Sequence, residues 1–435
     1  MNWREKYSDK IVSISEALSH ISSGDVIGTT MMNSVPYALL DGLYDLKDQL
    51  ENVWVDMGFA TKALRLFLPD SYGRINVKSM FLGPLEREFI KRGSKIATQV
   101  IHLSKVPEER SRLNRENVVM MVAAPPDEDG NISLGLCPAD AVLVKEAEKV
   151  ILQINENMPV IKGEGMMIHI DDITCMIDLT EELTEVPTAP PNEIEAQIAG
   201  FIVDRVEDGS CIQLGIGGIN NAVGSFLKDK KDLGIHTEMF VECMVDLIEC
   251  GAVNNSKKNL NKGVSIIGFA AGSKRMYDFL NHNDKVESRS FSYVNDPFTV
   301  GKIDNFISVN SAMGVDLTGQ VSSESIGYRQ YSGTGGQVDF VRGAQLSNGG
   351  KSFIALPSVL TKKDGTKVSK ITLAFEPGTA VTTLRTDVQY IVTEHGIADL
   401  KNETIENRAQ KLIAIAHPDF RDQLTEDAKK CGLIK

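Results

Sequence analysis

The chain has 435 residues, of which 42% are apolar and 24% charged, and its formal net charge is -13. A single hydrophobic core stops growing at about 250 to 300 residues, so this length predicts two domains, and the composition excludes a disordered chain. The acidic charge disfavours nucleic acid and anionic membrane surfaces as partners, because both are bound by basic surfaces.

The amino terminus, the cysteines and the histidines bear on the compartment of the protein and on disulfide and metal sites. MNWREKYSDK lacks the apolar core of a signal peptide, and no window approaches the about 18 apolar residues of a membrane span. We therefore expect a cytoplasmic protein that does not bind membranes. The six cysteines are scattered without a CxxC pair, and the seven histidines do not cluster with acids, so we expect free thiols and no metal site.

The first half of the chain alternates strand-like and helix-like segments. NVVMMVAAPP (117–126) and KVILQIN (149–155) are continuous apolar runs typical of buried strands, and PADAVLVKEAEK (138–149) between them has a helical pattern.

A proline-rich segment, TEVPTAPPNE (184–193), follows. Its three prolines remove backbone donors and disfavour helix, which is typical of a linker. We place an amino-terminal domain at 1–186, a linker at 187–193 and a carboxy-terminal domain at 194–435.

After the linker the alternation resumes. EIEAQIAGFIVDRVEDG (193–209) has the apolar spacing of a helix ended by Gly209, and SCIQLGIGG (210–218) indicates a strand that runs into a glycine loop. Further strands are predicted within 263–272, 304–312, 351–359 and 388–396. The whole pattern predicts two open α/β domains of similar architecture with mostly parallel sheets, whose ligands lie at the carboxyl ends of the strands.

Two glycine loops follow predicted strands or lie beside them. QLGIGGINNAVGSFL (213–227) carries Gly215, Gly217 and Gly218, and in YSGTGGQVDFVRGA (331–344) three more glycines precede Asp339. Such loops aim backbone N–H groups at negative charge, and two of them suggest that donors converge on one ligand. Tight turns alone explain both loops equally well.

Four acids lie among apolar residues in LGIHTEMFVECMVDLIECG: Glu238, Glu242, Asp246 and Glu249. Composition alone assigns all four to a solvated rim. In the helix-like part, Val241, Val245 and Ile248 are the expected buried stripe, with the acids beside it. His236 is interpreted equally well as a packed histidine.

The order of the motifs resembles a known family. QLGIGGI, LGIHTEMF, QYSGTGGQVDFVRGA, TEHGIADL and IAHPDFRDQL are similar to the acetyl-CoA hydrolase/transferase family and, within it, to CoA-transferases for butyrate or 4-hydroxybutyrate. LSKVPEE and APPDEDGNISLGL extend the resemblance through the first half of the chain. It implies an acyl-CoA:carboxylate CoA-transferase with a ping-pong glutamyl-CoA thioester on Glu238. It also implies that coenzyme A is a substrate, with no permanently bound cofactor, and that the protein is a homodimer or homotetramer.

The resemblance also implies which residues contact CoA. They are Gln213, Leu214, Gly215, Ile216, Gly217, Gly218, Met313, Gly335, Gly336 and Lys363. Lys362 and Lys363 suit the CoA phosphates, although a solvated loop explains one of the two as well. Because a carboxylate nucleophile must be ionised, we expect hydrogen-bond donors near Glu238 to offset the effect of burial on its pKa.

Two segments depart from the relatives. Val241, Glu242 and Cys243 stand where SDG is common, and GTTMMNSVP (28–36) lacks the histidine and glutamate usual in that loop. We expect both to face the acyl pocket, and Met31 and Met32 favour an acyl group bulkier or more apolar than acetate. Two alternatives stay open: a CoA-ester hydrolase on the same scaffold, and a non-catalytic α/β module that senses a metabolite.

Overall fold

The computed structural model describes residues 2–114, 116–138 and 141–435. The chain forms two compact units: residues up to Pro187 with Ile266–Val294, and Thr188–Ser265 with Asn295–Lys435. Sequence reasoning had assigned Ile266–Val294 to the carboxy-terminal domain, whereas this segment belongs to the first unit. The linker at 187–193 stays a prediction.

The secondary structure alternates throughout, as the sequence predicted. The strands are β1 (Val26–Gly28), β2 (Val53–Met57), β3 (Ile75–Ser79), β4 (Ile96–Thr98), β5 (Val118–Ala123), β6 (Asn131–Ser133), β7 (Lys149–Ile154), β8 (Met167–His169), β9 (Cys175–Asp178), β10 (Cys211–Leu214), β11 (Gly234–Phe240), β12 (Ser265–Ala270), β13 (Val286–Ser288), β14 (Phe306–Ser311), β15 (Gly314–Asp316), β16 (Val321–Ser322), β17 (Ser325–Ile326), β18 (Arg329–Gln330), β19 (Lys351–Ala355), β20 (Val359–Thr361), β21 (Lys367–Ser369), β22 (Ile371–Thr372), β23 (Tyr390–Thr393) and β24 (Gly396–Asp399). The α-helices are α1 (Trp3–Lys6), α2 (Ile14–Leu18), α3 (Tyr37–Asp45), α4 (Pro84–Lys91), α5 (Val106–Glu109), α6 (Ala141–Glu146), α7 (Glu193–Val203), α8 (Gly218–Phe226), α9 (Glu242–Glu249), α10 (Lys274–Leu280), α11 (Phe291–Val294), α12 (Pro297–Gly301), α13 (Gln337–Leu346), α14 (Ile405–Ala414) and α15 (Pro418–Lys430).

The first unit is built on a parallel sheet. Its seven strands run in the order β4-β3-β2-β1-β5-β7-β9, and every neighbouring pair is parallel. All six residues of β5 are buried, which explains why the strand reads as a continuous apolar run: it is covered on both faces of the sheet.

The second unit repeats this plan. Its strands pair in the order β11-β10-β14-β19-β23-β24, parallel up to β23 and antiparallel at β24. The two sheets share one arrangement. In the first unit β1 lies between β2 and β5, and in the second unit β10 lies between β11 and β14. The predicted fold class, α/β with two open and mostly parallel sheets of similar architecture, is confirmed.

The predicted helix at 193–209 is shorter than expected. It begins with a capping box, in which the Asn192 side chain accepts from the Glu195 N–H and the Glu195 carboxylate accepts from the Asn192 N–H. It ends at Val203, not at Gly209, because the following turn brings Val206 into the core. The predicted helix at 138–149 begins at Ala141 and ends at Glu146; residues 139 and 140 lie outside the described residues.

The helices are short. Among the described residues the longest, α15, has 13 residues, and no helix is long and apolar enough to cross a membrane. The cysteines are free, and two of them, Cys250 and Cys431, are exposed.

Candidate active site

Glu238 lies near the carboxyl end of β11 in the second unit. β11 pairs in parallel with β10, with Ile235 opposite Ile212, so Glu238 stands level with Gly215, where the first glycine loop begins. Neighbouring strands are about 4.8 Å apart, and ligands of open α/β sheets bind at this edge. The strand register therefore brings two sequence-predicted site residues together.

Two hydrogen-bond donors hold the Glu238 carboxylate. Asn295 Nδ2 donates to Glu238 Oε2 at 2.7 Å, and the Gly336 N–H is the second donor. Asn295 is completely buried, and its Oδ1 has no hydrogen-bond partner within the described part of the chain. A Cβ on residue 336 would lie 1.9 Å from Glu238 Oε2 and 2.2 Å from Asn295 Nδ2, so only glycine fits there.

The electrostatics of this site keep Glu238 close to its titration point. Burial raises the pKa of Glu238 to about 7; the hydrogen bond from Asn295 and that from Gly336 lower it, and the charge of Asp339 raises it. The expected donors are present, but they offset the effect of burial only in part.

The first glycine loop is a tight turn fixed by one side chain. Asn220 accepts from the Gly215 N–H at 3.1 Å and donates to the Ile216 carbonyl at 3.1 Å. Gly217 has φ 109°, and a Cβ on residue 218 would lie 1.9 Å from Glu195 Oε1. The turn thus explains two of the glycines, and it leaves Ile216 with 54% of its surface exposed at the strand edge.

Several predicted CoA contacts have side chains occupied elsewhere. Gln213 Oε1 accepts from Ser308 Oγ at 2.9 Å inside the sheet, and Leu214 is fully buried. A contact of Leu214 with CoA would therefore use its backbone. Met313 follows β14 and is half-buried, with its N–H donating to the Ser322 carbonyl at 2.9 Å.

The remaining predicted contacts lie on two other elements. Gly335 has φ 59° and Gly336 is the residue before α13, so the second glycine loop leads directly into that helix. Lys363 is exposed in the turn between β20 and β21. Within the described residues it makes no hydrogen bond or ion pair with Glu238, and its contact with CoA stays a prediction.

The segment after Glu238 packs differently from expectation. Cys243 is buried against α8, where its Sγ would lie 2.3 Å from a Cβ on Gly224, and burial raises its pKa to about 12. The expectation that this segment faces the acyl pocket stays a prediction. Val241 and Val245 are buried as predicted, whereas Ile248 is only half-buried.

The departing loop of the first unit is buried as well. Met31 and Met32 are both at most 7% exposed, and Met32 has φ 54°, a conformation held by its N–H bond to the Phe59 carbonyl at 2.9 Å. Met31 lines a cavity of about 20 Å³ with Met80 and Met166. That volume holds about one water molecule, so accommodation of a bulkier acyl group there stays a prediction.

Sequence reasoning missed Asn295. Asp296 and Pro297 are the sequence signal for the start of α12, where Asp296 caps the helix. This signal does not indicate a function for Asn295, the residue before them. His236, by contrast, is a packed histidine as interpreted: it is fully buried, with its ring centroid 6.2 Å from that of Phe306. No group of acids, histidines and cysteines suited to a metal ion occurs among the described residues.

Comparison with known proteins covers both halves of the chain. Residues 1–190 match the family model for the acetyl-CoA hydrolase/transferase N-terminal domain, and residues 272–428 match that for the C-terminal domain.

Individual relatives match over the full length. The succinyl-CoA:cyclohexane-1-carboxylate CoA transferase of Geobacter metallireducens is 40% identical over 100% of this chain and 98% of its own. The butyryl-CoA:acetate CoA-transferase of Anaerostipes caccae is 40% identical over 100% and 99%. The crystal structure of RipA from Yersinia pestis has a TM-score of 0.92 at 36% identity and covers 100% of both chains. A relative named acetyl-CoA hydrolase, from Neurospora crassa, is more distant, with 26% identity over 72% of this chain.

Proposed function

This chain belongs to the acetyl-CoA hydrolase/transferase family and is a CoA-transferase, and we propose that it transfers CoA between carboxylic acids through a covalent intermediate on Glu238. The observation that carries the proposal is the Glu238 carboxylate at the carboxyl edge of the sheet, held by Asn295 Nδ2 at 2.7 Å and by the Gly336 N–H.

The proposed reaction has two mirrored halves. The Glu238 carboxylate attacks the thioester carbonyl of an acyl-CoA, which gives an acyl-glutamyl anhydride and the CoA thiolate. The thiolate then attacks the glutamyl carbonyl, so the first acid leaves and a glutamyl-CoA thioester remains. An incoming carboxylate reverses both steps and departs as the new acyl-CoA. Covalent catalysis of this kind keeps the thioester energy from being lost to water.

The burial of Glu238 and its two hydrogen-bond donors suit these reaction steps. Burial disfavours the ionised carboxylate, and that cost is relieved when Glu238 becomes a neutral anhydride or thioester. Asn295 Nδ2 and the Gly336 N–H, which donate to the Glu238 carboxylate in the free enzyme, can stabilise the oxyanion formed when the thiolate attacks the glutamyl carbonyl.

The substrates follow from the same chemistry. The acceptor needs a free carboxylate and the donor is its CoA thioester. We infer a short-chain or related carboxylic acid from the relatives that act on butyryl-CoA, acetate and cyclohexane-1-carboxylate. A screen of one short acyl-CoA donor against acetate, propionate, butyrate, 4-hydroxybutyrate, lactate and aryl-propanoates, read by chromatography of each new CoA ester, identifies the preferred acid.

Removing the proposed nucleophile tests the role of Glu238. Glu238→Ala should lower CoA transfer by at least about 10³-fold, because the variant lacks the carboxylate on which the proposed intermediate forms. Glu249→Gln removes an exposed carboxylate of the same segment and should keep wild-type activity. Full transfer activity in Glu238→Ala, measured as new CoA ester formed, would overturn the proposal.

Hydrolysis is the competing outcome on the same site. Water would then replace the acceptor acid, and free CoA would appear at the same rate with or without added acetate. A transferase releases little free CoA in either case and forms acetyl-CoA when acetate is present. Equal release of free CoA in both assays would favour the hydrolase.

A further inference from the structure

Glu324 is a buried acid beside the second glycine loop. It is 6% exposed and lies just before β17. Oε1 accepts from Thr382 Oγ1 at 2.9 Å, and Oε2 accepts from Thr334 Oγ1 at 3.1 Å and from Gln330 Nε2 at 3.4 Å. The donors therefore come from two segments of the chain, one at residues 330–334 and one at Thr382.

All of these donors are neutral. Within the described residues no Lys, Arg or His side chain forms an ion pair with Glu324. Taking a carboxylate out of water without a cation is costly, and three hydrogen bonds repay that cost only if they are all made. Such an arrangement requires both donor segments to be held in one fixed position relative to Glu324.

The backbone of the same residue fixes the other end of the loop. The Glu324 carbonyl accepts from the Tyr331 N–H at 2.7 Å and from the Ser332 N–H at 3.1 Å. Ser332 and Thr334 lie just before Gly335 and Gly336. The part of the second glycine loop that precedes α13, residues 332–336, is called the glycine loop below. Glu324 anchors its start through the backbone and its middle through the carboxylate.

The far end of the glycine loop, at Gly336, is tightly packed against the Glu238 carboxylate. Gly336 packs so closely on the active site that a Cβ there would meet Glu238 Oε2 at 1.9 Å and Asn295 Nδ2 at 2.2 Å. Its N–H is one of the two donors to Glu238. A small displacement of the loop would therefore lengthen this hydrogen bond or push the Glu238 carboxylate out of place.

We propose that Glu324 is a positioning residue of the transfer reaction: through Thr334 it fixes the glycine loop, and through the loop it fixes the Gly336 N–H on Glu238. The inference rests on the proposed role of Glu238 as nucleophile. Glu324 acts through Thr334 and the loop, and it is not proposed to touch the substrate.

The test follows the pH dependence of the first half-reaction. Acyl-CoA is mixed with excess enzyme without acceptor acid, and the CoA-sized mass gain of the protein is followed by rapid quench from pH 5.5 to 9. The rate should fall as Glu238 becomes protonated on its acid side, and Asp339 is the charged neighbour that also acts on this titration. Glu324→Gln and Thr334→Val each weaken the tether of the glycine loop.

The expected result is a shift of the acid limb of the pH–rate profile, which is the pH range in which the rate falls as Glu238 becomes protonated. Loss of the Gly336 hydrogen bond raises the pKa of Glu238, so the limb should move up by about 0.5 to 1 pH unit in both variants, which lowers the rate at pH 7 by about two- to fivefold. Thr334→Ser keeps the hydroxyl donor and should bring the limb back toward wild type.

The controls separate positioning from general damage. Asp25→Asn removes a charge from another acid that is 6% exposed, in the first unit, and should lower stability in urea without moving the limb. If Glu324→Gln and Thr334→Val form the adduct with the wild-type limb, or if Asp25→Asn shifts it equally, the inference is overturned. If the wild-type protein forms no adduct on Glu238 at any pH, the proposed function itself fails.

Discussion

The carboxylate of Glu238 is held in a setting that opposes its own charge. Burial and the charge of Asp339 raise its pKa to about 7, and the two donors compensate only partly. A folded-state pKa above the unfolded value of about 4.5 means that ionisation costs folding stability. Glu238, the proposed nucleophile, should therefore weaken the fold.

This conflict is measurable as a stability difference that depends on pH. Below pH 4.5 both states bind the proton and Glu238 costs nothing; the cost develops between pH 4.5 and 7 and is complete above 7. Glu238→Gln should therefore be more stable than wild type by about 1 to 3 kcal/mol at pH 8 and by much less at pH 5, in urea unfolding.

The matched control for this difference is Glu249→Gln, which removes an exposed acid and should change stability by less than about 0.5 kcal/mol at both pH values. A Glu238→Gln protein that is equally stable or less stable than wild type at pH 8 would contradict the assigned cost of ionisation.

Sequence could identify only some of the residues in this site. The ordered motifs singled out Glu238 and Gly336, and the structure places the two in contact. Asn295 and Glu324 could not be found, because their roles come from hydrogen bonds to residues 57 and 10 positions away along the chain. No local pattern encodes such contacts.

At the level of elements, the second glycine loop leads directly into α13, and together they position Gly336 against Glu238. The loop ends at Gly336, the helix begins at Gln337, and the missing side chain at residue 336 makes room for the Glu238 carboxylate. Because the φ of Gly336 is -97°, alanine is conformationally acceptable there and only its Cβ is in the way.

Gly336→Ala therefore isolates this steric effect. It should lower CoA transfer by at least about 100-fold, since a displacement of about 1 Å at a reacting group can cost that much. The protein should remain folded, as judged by circular dichroism and urea unfolding. Transfer activity within about threefold of wild type would show that Glu238 does not need the space at residue 336.

Gly200→Ala is the matched control. Gly200 lies inside α7, where an added Cβ would meet nothing within 4 Å. Alanine favours helix there, so the variant should gain about 0.4 to 1 kcal/mol in urea unfolding and keep its activity.

Element types were easier to predict than their ends or their packing. Continuous apolar runs gave β5 and β7 correctly, because strands buried on both faces leave that pattern. The end of α7 was predicted six residues too late, at Gly209 instead of Val203, because the burial of Val206 in the turn after the helix leaves no local pattern. The packing of Cys243 could not be predicted for the same kind of reason: its neighbour is Gly224 of another helix.

At the level of the whole molecule, the chain repeats one sheet plan in two units. Alternating strands and helices on both sides of the prolines were sufficient to predict this class. The membership of Ile266–Val294 in the first unit was beyond sequence reasoning, because a segment that returns to an earlier unit carries no compositional mark. Architecture thus follows from pattern, whereas the assignment of segments to units needs the long-range contacts.

The central claim is that Glu238 carries CoA. The most direct measurement incubates the protein with acyl-CoA in the absence of acceptor acid, digests it, and locates the modified peptide by mass spectrometry. We predict a CoA-sized mass gain on the peptide that contains Glu238 in LGIHTEMF, which disappears when acetate is added and acetyl-CoA forms. An unmodified Glu238 peptide in an actively transferring enzyme, or a CoA adduct on another residue, would contradict the account.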